Sequence, residues 1–241
     1  MAFQPSYNTR VLLGPLNLSC EASSVSTSLT VETFDSTTLC DKAKTFIPGQ
    51  DSSVFAASGP LDVASGVTAA DPFDVFNSFK STEMPITYAP VGLTAGSPAW
   101  LMKSAETSFE TRATPGSLAG WSLNSRTQGF TDMGTVLVDL TAVTATGDSA
   151  AVDLTAASTN GGVATLHVTE FTGLTSDAII VEQSANGTTS WTTIASFSSV
   201  TAVGGQHVEV AAGTAVAQYL RVGHTVVGTG SLTYSVSFAR R

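Results

Sequence analysis

The chain has 241 residues and a formal net charge of −9; 42% are hydrophobic and only 12% charged, about half the usual fraction of roughly 25%. Its four lysines, Lys42, Lys44, Lys80 and Lys103, are scattered, so no basic patch offers itself for displacing counterions, and specific nucleic-acid binding is not expected. Nothing approaches the ~18 apolar residues of a membrane-spanning helix, and Val11-Leu12-Leu13 is cut short by Gly14-Pro15, so neither a membrane anchor nor a signal-peptide core is expected.

With so few charges, the polar surface must come from Ser, Thr, Asn and Gly, a composition that suits pleated sheets. Leu16-Asn17-Leu18-Ser19-Cys20 alternates apolar and polar residues and predicts a short strand. In Ser28 to Thr33, Leu29 and Val31 alternate with Ser28, Thr30 and Glu32, the period of a half-buried strand. Phe34 breaks that phase, which predicts a bulge or the strand's end. A polar stretch runs from Asp35 to Lys44; Pro48-Gly49 then predicts a turn, and Val54 to Ala57 a strand apolar on both faces.

The one convincing helix is expected at about 71–80. Asp71 can cap it, Pro72 fits its first position, and Phe73, Phe76 and Phe79 form an apolar face for packing on a sheet. Residues 85–98 read as a loop holding a short strand at Ile86–Tyr88. Strands are expected at Ala99–Met102, Thr107–Thr111, Leu118–Leu123 and Val136–Leu140, with a turn at Thr114-Pro115-Gly116.

The small polar run Thr144 to Ser149 suggests a boundary between domains at 1–143 and 144–241. Beyond it, strands are expected at 163–171, 178–184, 190–197, 206–211, 215–222 and 231–238, the spacing of a β-sandwich. Asn186-Gly187 is a hairpin turn signal, and Leu232, Tyr234, Val236 and Phe238 alternate with Thr233, Ser235 and Ser237 as in a one-sided strand.

Motifs that carry chemistry are scarce. His167 and His207 each sit on the polar side of an alternating strand and are expected to face solvent; with His224 they show no metal-ligand spacing. No HExxH, GxSxG or phosphate loop occurs, so catalytic, cofactor-binding and metal-binding residues are all read as none. Cys20 and Cys40 read either as a disulfide or as two small buried thiols, the second being favoured.

Residues 28 to 62, with their Thr33-Phe34 strand end, polar loop, Pro48-Gly49 turn, second strand and following helix, resemble the first half of a major tail tube protein of long-tailed bacterial viruses. The resemblance extends over roughly 10–140. It implies an all-β fold: a tail-tube-like β-sandwich or barrel with one flanking helix, followed by an immunoglobulin-like or jelly-roll-like sandwich on the tube exterior.

It further implies a non-enzymatic virion subunit, assembled in the host cytoplasm into stacked, hexameric rings around a channel for DNA. Tape-measure, tail-terminator and baseplate proteins are the implied partners, and DNA would pass transiently through an acidic conduit that does not hold it. Phe34, Phe46, Ile47, Pro48 and Gly49 are the candidate contacts between subunits, with folding of Phe46 and Ile47 back onto the core as the other reading. A carbohydrate-binding or adhesin module, with Trp191 or Tyr219 stacking on sugars, and a capsid decoration protein are the alternatives; a hydrolase comes last.

Overall fold

A computed structural model describes residues 6–40, 42–61, 76, 79–80, 82–129 and 131–241. Among these residues fourteen strands join in one sheet, and every pairing is antiparallel, so the expected all-β class holds. In chain order they are β1 Arg10–Leu13, β2 Leu16–Asn17, β3 Ser24–Asp35, β4 Phe46–Pro60, β5 Met84–Ala89, β6 Pro98–Arg112 and β7 Gly120–Thr127. The rest are β8 Asp132–Val143, β9 Gly147–Asp148, β10 Val152–Asp153, β11 Gly162–Ser184, β12 Thr192–Ser196, β13 Gly204–Val210 and β14 Tyr219–Arg240. Of the expected helix, Phe76 and Phe79 are helical and buried; its other positions, apart from a turn at Lys80, lie outside the described residues.

In the first half the strand order is β3-β4-β7-β6-β5-β1-β2. Phe55, Ala57, Phe76, Phe79, Ile86, Met102, Trp121 and Leu123 share one core with Val11, Leu13, Leu16 and Leu18. The Phe76 ring centroid lies 4.8 Å from that of Phe109 and 5.2 Å from that of Trp121, so this helical segment packs through aromatic contacts. β4 is apolar on both faces over Val54–Ala57, but the faces are unequally covered: Ser53, Phe55, Ala57 and Gly59 are buried, while Val54, Ala56 and Ser58 are half-buried.

Several sequence boundaries shift for local reasons. The strand expected at Leu16–Cys20 ends at Asn17, because the Asn17 side chain accepts the Ser19 N–H at 3.2 Å and starts a 3-10 turn over Leu18–Cys20. The strands expected at 99–102 and 107–111 are one, β6, carried through a register shift between Glu106 and Ser108. The Thr114–Gly116 turn forms as expected: Ser117 N–H donates to Thr114 C=O at 3.1 Å and Gly116 adopts φ +85°.

In the second half β11 and β14 run 23 and 22 residues, far beyond the usual roughly 3–10. They pair from Gly162↔Arg240 to Ser184↔Tyr219, with register shifts at Val168/Glu170, Thr172/Leu174 and Leu174/Ser176. These shifts, with Gly173 at φ +73°, Gly228 at φ +102° and Gly230, bend the ribbon back over itself. Leu166, Val168, Leu232, Tyr234 and Val236 from one arm and Ile179, Val181, Leu220 and Val222 from the other therefore share a single core. Sequence periodicity breaks at the bulges, which is why each long strand reads as two. The Asn186-Gly187 turn between β11 and β12 forms as expected, with Gly187 at φ +72°.

The two halves meet at β8, which pairs with β6 on one side and β14 on the other. Leu12, Ala89, Leu93, Ala99, Leu101, Val136, Val163 and Ala239 form a third cluster drawn from both halves. β14 is consequently not one-sided: Ser235 and Ser237 are each 1% exposed, and Ser235 Oγ donates to Val138 C=O at 2.8 Å. Covering the second face of a central strand by the other half of the chain is invisible to period-2 alternation.

Candidate assembly surface

Among the described residues β3 pairs only with β4. β4 pairs with β7 from Val54 to Pro60, so among the described residues its outer part, 46–53, has β3 alone as a strand neighbour. Residues 28–35 and 46–53 thus form a two-stranded ribbon about 26 Å long at ~3.3 Å per residue. Leu29, Val31, Phe34, Phe46 and Ile47 on it are between 47% and 58% exposed, so Phe46 and Ile47 do not fold back onto the core. Phe34 lies directly across from Ile47, and Asp35 from Phe46. The half-buried strand expected at 28–34 is instead mostly exposed on both faces.

Pro48-Gly49 is not a turn. Both residues lie inside β4, Pro48 opposite Thr33, with a register shift between Val31 and Thr33 that leaves an extra residue on β4. Proline is tolerated there because the outer part of β4 has a single neighbour. Gly49 permits a close approach: a Cβ would lie 2.6 Å from Phe34 Cε2 and 3.1 Å from Glu32 Cβ. The true connection is 36–45, closed by Ser36 N–H donating to Thr45 C=O at 2.9 Å. At its start the Thr37 hydroxyl and backbone N–H hold the Asp35 carboxyl below the usual carboxylate range. The structure therefore gathers all the candidate contact residues, Phe34, Phe46, Ile47, Pro48 and Gly49, onto one ribbon.

The histidines depart from expectation. His167 is 1% exposed, not solvent-facing. Its Nδ1 lies 2.9 Å from Gly14 C=O, which can only accept, so Nδ1 carries the proton and Nε2 accepts from Thr87 Oγ1 at 2.8 Å. Thr87 Oγ1, its proton so committed, accepts from Thr165 Oγ1 at 3.0 Å. This directed chain ties β11 to β5 and to the β1–β2 turn, and burial lowers the His167 pKa from 6.5 to about 4. His207 is half-buried, and burial also lowers its pKa. His224 is buried beside Asp177.

Among the described residues no group of His, Cys, Asp and Glu has the arrangement of a metal site. Cys20 and Cys40 are both free and exposed, neither bridged nor buried. Trp191 is partly exposed, with the Arg221 guanidinium 4.4 Å from its ring centroid; Arg221 in turn pairs with Glu182 at 2.7 Å and Asp148 at 3.0 Å. No helix among the described residues is long and apolar enough to cross a membrane.

No family model matches the chain, and no curated protein does. Similar solved structures come from phage-tail and related particles. A chain from the virion of a native gene transfer agent particle is 15% identical, with a TM-score of 0.43 over 54% of this chain and 98% of its own. A chain from the six-fold tail of the empty gene transfer agent particle gives 14%, 0.42, 54% and 97%. The SPP1 Dit protein, a hub of the adsorption apparatus in phages infecting Gram-positive hosts, gives 10%, 0.39, 96% and 99%.

Proposed function

We propose that this protein is a structural, non-enzymatic virion subunit of a phage-tail type that joins copies of itself laterally through the β3–β4 ribbon. The observation that carries this reading is the edge of β3 away from β4, beside which no other strand runs among the described residues. Over 12 residues it has no proline and no lysine, and Glu32 and Asp35 are its only charges. Monomeric proteins blunt such edges, because unpaired N–H and C=O groups recruit another strand. Here the edge is flanked by exposed Leu29, Val31, Phe34, Phe46 and Ile47. Burying the remaining surface of each contributes about 1 kcal/mol. A closed ring has as many such contacts as subunits, one more than an open chain, so the closing contact adds its burial without a further association cost of roughly 4–15 kcal/mol.

The finer parts of the proposal are hexameric rings stacked into a tube, a channel for DNA, and contacts with tape-measure, tail-terminator and baseplate proteins. The net charge of −9 supports a conduit that does not retain DNA. The domain at 144–241 would decorate the exterior.

Electron microscopy and sedimentation of the purified protein test this reading. Rings or hollow tubes are expected, and Ile47→Asp is expected to abolish them while leaving the circular dichroism spectrum unchanged. A single ring that never stacks points to a hub-like role. A monodisperse monomer that binds polysaccharide overturns the proposal in favour of a carbohydrate-binding module.

A further inference from the structure

The chain carries two Asn-Gly pairs, Asn160-Gly161 and Asn186-Gly187. An asparagine followed by glycine is the sequence most open to spontaneous deamidation, because no Cβ hinders attack of the next backbone nitrogen on the side-chain amide. For that attack the nitrogen must stand free and lose its proton, and the carboxamide must turn its Cγ toward it.

At Asn186 both partners are held. The N–H groups of Asn186 and Gly187 donate to Ser184 Oγ at 3.3 and 3.2 Å. Asn186 Oδ1 accepts the N–H groups of Thr188 and Thr189, each at 3.0 Å, and Nδ2 donates to Thr189 Oγ1 at 2.9 Å. A backbone N–H can only donate, so the orientation of the carboxamide is fixed. Ser184 is the hub of this turn and is 2% exposed. Its lone pairs take the N–H groups, and its one proton faces Thr189 C=O at 2.6 Å and Asn186 Oδ1 at 2.9 Å. Asn160 is exposed and is placed differently: the Gly161 N–H is held by Thr214 C=O at 3.0 Å, and not by Ser184.

We propose that Asn186 is a latent site of spontaneous deamidation that the Ser184 hydroxyl keeps closed, so that opening of the β11–β12 turn sets its rate. On opening, the Gly187 nitrogen loses its proton to solvent base and forms a bond to Asn186 Cγ. The Cγ–Nδ2 bond breaks, and Nδ2 leaves as ammonia with a proton from water. Water then opens the five-membered imide at one carbonyl or the other, giving aspartate or isoaspartate, and no oxidant or reductant takes part. Either product adds a negative charge and removes the donor to Thr189. Isoaspartate also lengthens the backbone of the turn by one carbon, which misplaces β12.

Peptide mass spectrometry of the full chain, aged at neutral pH in buffer and in urea, tests the latch. Asn186 is expected to deamidate at least about tenfold more slowly in the folded chain than in the urea-unfolded one, since opening breaks several hydrogen bonds of ordinary strength. Ser184→Ala is expected to raise the folded rate at Asn186 by about tenfold and to leave that at Asn160 unchanged, which separates loss of the latch from a general loosening of the fold. Equal rates at Asn186 in folded and unfolded wild type, equal rates in folded wild type and variant, or an equal rise at both asparagines overturn the proposal. Should Ser184→Ala fail to fold, amide exchange of the wild-type protein decides the matter. The Gly187 amide is expected to exchange at least about tenfold more slowly than in the unfolded chain, and exchange at the unfolded rate overturns the proposal.

Discussion

Acid should unlock the two halves of this protein through His167. Its ring is buried and neutral, donating to Gly14 C=O and accepting from Thr87, with a pKa lowered from 6.5 to about 4 by desolvation. Because the folded value is depressed, the unfolded chain binds the extra proton in the window between these values. Stability is therefore complete above about pH 6.5 and falls as pH drops toward 4. At about pH 5 an unfolded histidine is almost wholly protonated and the folded one almost wholly neutral, a penalty of about 2 kcal/mol at 1.36 kcal/mol per unit. Below about pH 4 the full loss approaches about 3 kcal/mol. For a chain of this length 2 kcal/mol corresponds to roughly 4–8 °C in Tm. The assay is urea unfolding at about pH 7 and pH 5 for wild type and His167→Gln, whose amide can donate to Gly14 and accept from Thr87 without titrating. The variant is expected to lose about 2 kcal/mol less than wild type between the two conditions. Equal losses refute the argument that the buried imidazole is the linked group.

Other outcomes follow from packing. Phe79→Ala opens a hole under a side chain with 0% exposure and is expected to cost about 3–5 kcal/mol by chemical denaturation. Gly230→Ala places a Cβ 2.0 Å from Thr172 C=O at the ribbon's bend, with an expected loss of about 1–3 kcal/mol in the same assay. Ile47→Asp, by contrast, is expected to change monomer stability by no more than about 0.5 kcal/mol while removing assembly, since the site is exposed in the single chain.

Much of this architecture is legible in the residues. The all-β class follows from the scarcity of charge, the abundance of Thr and Val and the spacing of turn signals, and the turns at Thr114–Gly116 and Asn186-Gly187 fall where glycine and proline chemistry puts them. Phe46, Ile47 and Pro48 stand out in the sequence as apolar positions in a polar neighbourhood, but Pro48-Gly49 lies within β4 and is not the expected turn. Gly49 serves a ring lying over a bulge, and a dipeptide signal cannot separate that use of a missing Cβ from a reversal of the chain.

What alternation could not reveal is what lies over the polar side of a strand. His167, Ser235 and Ser237 sit where solvent is expected, and all three are buried, because β5 and the β1–β2 turn cover one strand and β8 with its neighbours encloses the other. Local sequence thus determined which segments extend and where they reverse, since those choices depend on φ/ψ preferences and near-neighbour side chains. The tertiary structure alone decided the fusion of strands through bulges, the burial of the Asp177–His224 pair and the joining of the halves at His167, since each depends on contacts between residues far apart along the chain.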